Sequence, residues 1–191
     1  MLCILVFLSA FWAVLALAVN APVGLHAPIP GYEISEITWE VDVFNNGTLF
    51  NLTGTIEQVH ADVSKMNPNS TFVSSAIHQG KPADAADDWT VHCGPGAFNW
   101  LPARPGRIDD GIYHLSKVSG QPRAGPGPGA CARVSCSWES AIWWCNDNLY
   151  DFALPSFTTI GDCAQMLNRD CQYIENHWDW VRGQNFVSSL L

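Results

Sequence analysis

Six of the seven cysteines fall between Cys93 and Cys171, while the seventh, Cys3, sits in an apolar run at the N-terminus. No other feature constrains the fold as much, because an even set of cysteines in a short secreted chain reads as a disulfide framework. Met1 to Ala18 reads MLCILVFLSAFWAVLALA, without an ionised side chain, and closes on Ala16-Leu17-Ala18, the small-x-small pattern cut by signal peptidase. Residues 1–18 are therefore expected to be a signal peptide with Val19 as the mature start. The missing Lys or Arg before the apolar run leaves an uncleaved anchor as the alternative. Cleavage removes Cys3 and leaves Cys93, Cys131, Cys136, Cys145, Cys163 and Cys171 for three disulfides, among which the sequence does not choose a pairing.

Acceptor sites for N-linked sugar point to the same compartment. Asn46-Gly47-Thr48, Asn51-Leu52-Thr53 and Asn69-Ser70-Thr71 all satisfy the N-x-S/T rule, whereas Asn67 precedes Pro68 and is excluded. Glycosylation is expected at one or more of Asn46, Asn51 and Asn69, on an exposed face. Charge is uneven: residues 19–88 carry two Lys against nine acids and residues 89–191 carry seven Lys or Arg against nine acids, within a formal net charge of −9. An acidic chain with no basic stripe repels a phosphate backbone, so nucleic acid is not expected as a partner.

The chain is expected to divide at a polar, Pro-bearing joint, Gln79 to Asp88, into an acidic, glycosylated strand-helix region at 19–86 and a cysteine-rich α+β domain at 87–191. In the first region the apolar residues Ile37, Trp39, Val41 and Val43 alternate with polar ones, which predicts a strand over 37–44. Asn45-Asn46-Gly47 follows as a turn, and Thr55 caps a helix over 56–66 that presents Ile56, Val59, Val63 and Met66 on one face. In the second region we expect a strand over 88–93, a helix around 108–118 ended by Gly120, and an irregular Pro/Gly loop over 122–129. A hairpin over 132–146 turning at Trp138-Glu139-Ser140, a helix introduced by Pro155-Ser156 that runs to about Cys171, and one closing strand in 178–191 complete it. The order strand, helix, hairpin, helix, strand corresponds to a disulfide-stapled two-layer sandwich of the α+β class, preceded by the smaller strand-helix region.

Reactive groups form no recognised catalytic pattern. The cysteine spacings lack a C-x2-C pair and H-E-x-x-H is missing, so disulfides are favoured over zinc and neither metal nor cofactor is expected. No G-x-S-x-G elbow is present. His60-Ala61-Asp62 and His177-Trp178-Asp179 read as solvated surface pairs. A ribonuclease would need a carboxylate, a histidine and an arginine, for which Glu139, His92 or His114, and Arg133 are candidates. Glycoside cleavage would draw two carboxylates from Asp109, Asp110, Glu139 and Asp147, although Asp109 and Asp110 suit a helix N-terminus and Asp147 a turn. Trp138, Trp143 and Trp144 invite a separate reading, because a Trp exposed on a hairpin stacks on sugar rings or anchors a protein partner, and alternation puts Trp143 and Trp144 on opposite faces.

The run Gly106 to Leu115 (GRIDDGIYHL), the run Gly125 to Ser137 (GPGPGACARVSCS) and the run Ser140 to Asn148 (SAIWWCNDN) resemble a group of small secreted cysteine-rich proteins of filamentous ascomycete fungi, and Asn51 to Pro68 is similar to the leading region of its longer members. The order of elements also resembles necrosis-inducing effectors and killer toxins with an α/β-sandwich fold. This chain departs from the group in placing Cys163 inside the last helix, so no pairing transfers. The resemblance implies a secreted fungal protein of effector or toxin-like type that acts by binding an extracellular protein or cell-wall glycan, with no membrane span after cleavage. The alternative is a small secreted hydrolase such as a ribonuclease, and a further one is that residues 19–86 form a removable segment.

Overall fold

The protein is described by a computed structural model over residues 26–70, 89–118 and 121–187. The expected signal peptide, the joint at 79–88 and the Gly120 cap lie outside the described residues. What is described is an α+β fold with three helices, several small sheets and two disulfides.

The N-terminal part holds β1 (Glu33–Ile34), β2 (Thr38–Asp42), β3 (Leu49–Thr53) and α1 (Ile56–Met66). β2 and β3 pair antiparallel with Trp39 opposite Leu52. The turn between them is closed by the Asp42 carboxylate, which accepts the amides of Asn46 at 3.2 Å and Gly47 at 2.8 Å. α1 starts where Thr55 and Gln58 form a capping box, the Thr55 amide donating to Gln58 Oε1 at 2.8 Å, and it buries Ile56, Val59 and Val63 as the sequence pattern requires.

The cysteine-bearing part comprises β4 (Trp89–Cys93), α2 (Pro105–Leu115), β5 (Arg123–Ala124), β6 (Ala130–Ser137), β7 (Ser140–Asn146), β8 (Phe152–Ala153), α3 (Phe157–Asp170), β9 (Gln172–Glu175), β10 (Trp178–Val181) and β11 (Gly183–Val187). α2 begins three residues earlier than the apolar spacing predicts, because Pro105 sits in the first turn, where its fixed φ suits a helix and its missing N–H costs nothing. Asp109 and Asp110 therefore fall beyond the first turn. The single closing strand is instead two. β10 folds back on β9 through Asn176 and His177, both with positive φ, and β11 pairs with β4, so Val187 lies opposite Trp89.

Among the described residues the strands form one three-stranded sheet, ordered β1-β6-β7, and four two-stranded pairs. β1 runs parallel to the start of β6, and β6 and β7 form the hairpin with an irregularity between Arg133 and Ser135. α2 packs on this hairpin. Gly111 allows the close approach, since a Cβ there would collide with Ser135 Oγ and Ile142. The two parts of the chain share one hydrophobic core in which Trp39 and Phe157, both buried, stack at 4.3 Å and 9°. Such a pair contributes about 0.5–1.5 kcal/mol beyond its area. Glu57 on α1 ties the parts together again by accepting from Ser135 Oγ at 2.5 Å and from the Cys136 amide at 3.0 Å.

Cys93 is bridged to Cys171 and Cys131 to Cys145. The third bridge expected from the cysteine count is not formed in this structure: Cys136 and Cys163 are unbridged. Their surroundings account for this. Cys136 lies near the end of β6 with its amide held by Glu57 of α1, whereas Cys163 lies on α3 facing a cleft beside β7.

Candidate binding cleft

A cleft of about 740 Å³ runs between the β6–β7 hairpin and α3. Its wall on one side is Ala141 to Asn148 without interruption. Side chains of a strand alternate between faces, so a wall of consecutive residues means that the cleft follows the edge of β7 and continues past its end. Opposite stand Ile160, Cys163, Ala164 and Leu167 of α3 together with residues 183–186 of β11. Those α3 positions recur at helical spacing, so the amphipathic pattern that packs the helix also builds the wall.

The hydrogen-bonding pattern of the hairpin decides what β7 presents to the cleft. Trp138 and Glu139 both have positive φ, 48° and 62°, which makes a two-residue hairpin turn flanked by the bonded pair Ser137 and Ser140. Backbone groups alternate from there, so those of Ser140, Ile142, Trp144 and Asn146 point to β6. The Gly129 amide donating to Asn146 O at 3.1 Å agrees with this phase. The N–H and C=O groups of Ala141, Trp143 and Cys145 point outward, and among the described residues none has a partner. The far edge of the same sheet is closed: β1 covers Ala130 and Cys131, and Glu57 takes the Cys136 amide.

Polar chemistry inside the cleft is sparse. Burial, with a smaller contribution from the neighbouring Asp162 carboxylate, pushes the Cys163 thiol up to about 12. It therefore stays protonated at neutral pH and is no nucleophile. Asp162 itself does not line the cleft; its carboxyl is raised by partial burial. Asn168 is almost fully buried and donates through Nδ2 to Pro105 O at 3.2 Å and Asp109 Oδ1 at 2.6 Å, leaving its Oδ1 without a partner. Asn185 also keeps an unpaired Oδ1.

The candidate catalytic residues are not brought together. Glu139 stands on the turn at one end of the cleft, but Arg133 lies four residues before Ser137, about 13 Å down β6. His92 faces Phe186 from β4, and His114 stacks on His60 at 5.9 Å, neither lining the cleft. Of the carboxylates, Asp109 is held by Asn168, Asp110 pairs with Arg107 at 3.0 Å, and Asp147 accepts the Tyr32 hydroxyl at 2.7 Å. The Tyr32 hydroxyl is raised by that bond first, then by burial and the charge of Asp147. Glu139 and Asp147 both line the cleft, but eight residues of strand separate them by about 25 Å, far beyond the roughly 5–10 Å that glycoside cleavage requires. Asp62 pairs with Lys65 at 2.8 Å.

A second feature adjoins the Glu139 end. The Arg104 guanidinium lies 3.8 Å from the Trp180 ring and 4.4 Å from Trp178, and Arg107 lies 5.5 Å from Trp138. The Arg104 amide donates to Ser140 Oγ at 3.0 Å, which fixes this end of α2 to the hairpin turn. Trp138 is 77% exposed and Trp178 59%. Of the three tryptophans singled out in the sequence, Trp138 is thus the exposed one; Trp144 packs on the core and Trp143 is half-buried along the cleft. The Trp178 and Trp180 contribution was hidden in a segment read as a single strand, although the i, i+2 spacing of the two rings was its signal. All three sequon asparagines, Asn46, Asn51 and Asn69, are exposed.

Compared with protein-family models, with curated proteins and with solved structures, the chain matches none.

Proposed function

We propose that this chain is a secreted, disulfide-stapled protein of effector or toxin-like type that acts by binding an extracellular protein or cell-wall glycan. The observation that carries this reading is the 740 Å³ cleft, whose walls are mostly apolar and whose acidic groups are too far apart to act on one bond. Two disulfides in the described fold suit an oxidising compartment, and exposed asparagines at all three sequons leave room for sugar. No described helix is long and apolar enough to cross a membrane. We read the layering as a two-layer sandwich, with the β1-β6-β7 sheet on one side and α2 and α3 on the other, supported by the packing of α2 on β6, β7 and α3.

The test is expression of the full chain in a eukaryotic secretory host, followed by titration of the purified protein with the apolar dye anilinonaphthalene sulfonate. Recovery from the medium with glycosidase-sensitive mass, and saturable dye fluorescence lost in Ala164→Trp, are the expected results. Retention in the cells, or dye fluorescence that Ala164→Trp leaves unchanged in a folded protein, would sink the proposal.

A further inference from the structure

We infer that the outer edge of β7 binds an extended peptide segment of a partner protein as an added strand. The inference rests on the reading of the cleft as a binding site and specifies its ligand. Three observations carry it. Among the described residues the outward N–H and C=O groups of Ala141, Trp143 and Cys145 have no partner, and they recur every second residue, about 6.7 Å apart. A glycan or a hydrocarbon chain has no matching repeat of donors and acceptors, whereas an extended polypeptide has that repeat, in the same plane. The cleft follows this edge along the strand, so an incoming backbone has room beside β7 and its side chains meet Ile160, Ala164 and Leu167 on one face.

The third observation is the contrast between the two edges of one sheet. A bare edge is a liability that proteins blunt with charge, proline, a bulge or a cover. The β6 side is covered by β1 and capped by the Glu57 carboxylate. The β7 side reads Ser-Ala-Ile-Trp-Trp-Cys-Asn, without a charge or a proline, and no strand among the described residues pairs with that edge. An apolar edge kept open inside a cleft is the arrangement that strand addition uses, in which backbone bonds supply affinity and alternate side-chain pockets supply selectivity.

The experiment selects random decapeptides displayed on phage against the secreted full chain, then measures synthetic copies of the enriched peptides by calorimetry. Ala141→Pro removes an outward N–H and puts the ring in the path of an added strand, at an edge position where proline is compatible with the sheet. Expected are enriched peptides that displace the dye, bind Ala141→Pro at least ten-fold more weakly, and lose at least ten-fold in affinity when N-methylated at alternate residues on one edge but not on the other. The methylation series needs no protein variant and decides the matter even if Ala141→Pro does not fold. No enriched peptide, equal binding to folded Ala141→Pro, equal loss in both methylation series, or association of two copies through β7 seen by light scattering would each overturn strand addition. Dye binding without peptide binding refutes only this inference, whereas loss of both refutes the cleft as a binding site.

Discussion

The two disulfides should contribute unequally, and the inequality follows from how much chain each one encloses. Cys93–Cys171 spans a sequence separation of 78 and Cys131–Cys145 one of 14. If a bridge acts by restricting the unfolded chain, loops of these sizes contribute about 4.5 and about 3 kcal/mol, a difference of about 1.5 kcal/mol. Packing losses largely cancel in the comparison, since each pair has one buried cysteine, Cys171 and Cys131, and one that is more exposed. The perturbation is Cys93→Ala with Cys171→Ala, against Cys131→Ala with Cys145→Ala. The assay is urea unfolding followed by Trp fluorescence at pH 6, where exchange between thiols and bridges is slow. With a slope of about 2 kcal/mol/M, the first double variant should unfold roughly 0.7 M earlier than the second. Equal midpoints, or a larger loss from Cys131 and Cys145, would refute the loop argument. Either result would place the dominant contribution in the native hairpin, where Cys131 and Cys145 sit directly opposite each other.

Cys163 should give the stability curve an alkaline limb: its folded value of about 12 exceeds the ordinary 9.0, so its contribution is complete below pH 9 and falls by about 1.4 kcal/mol per pH unit as pH rises toward 12. Urea midpoints of Cys163→Ala and the parent should converge between pH 9 and 11, and parallel curves would contradict the burial of that thiol. At the hairpin turn, Trp138 and Glu139 occupy a left-handed conformation that Asn and Gly adopt more readily. Trp138→Asn with Glu139→Gly should stabilise the fold by about 1 kcal/mol, or about 2–4 °C in thermal midpoint, even after losing the Arg107 contact with Trp138. A lower midpoint would mean that Trp138 is retained for stability and not for its exposed ring.

Local signals were legible in the sequence wherever one segment carries its own instructions. α1 runs from Ile56 to Met66 as its apolar period and Thr55 dictate, and the β6–β7 hairpin turns at Trp138 and Glu139 because two β-forming runs leave only that short connection. Where two signals competed, the boundary moved. Pro105 and Gly106 precede the helix expected around 108–118 yet open α2, and the apolar alternation in 178–186 hid the break at Arg182 that separates β10 from β11. The cleft was illegible for a different reason. Whether β7 has a free edge depends on which side of the hairpin is taken by β1, a two-residue strand almost 100 positions away, with Glu33 set beside Ala130. Glu57 completes the asymmetry from 79 residues before the Cys136 amide that it accepts. Neither contact has a local pattern, since a carboxylate in the first turn of a helix and a Glu-Ile pair in a loop look the same whether or not they close a sheet. The side chains of β7 announced a hairpin that needs burial; only the choice of covered edge turned that hairpin into one side of a cleft. The same logic makes Glu57 a lever on the site: a carboxylate spent on the Cys136 amide keeps the β6 edge closed, so strand addition is confined to β7.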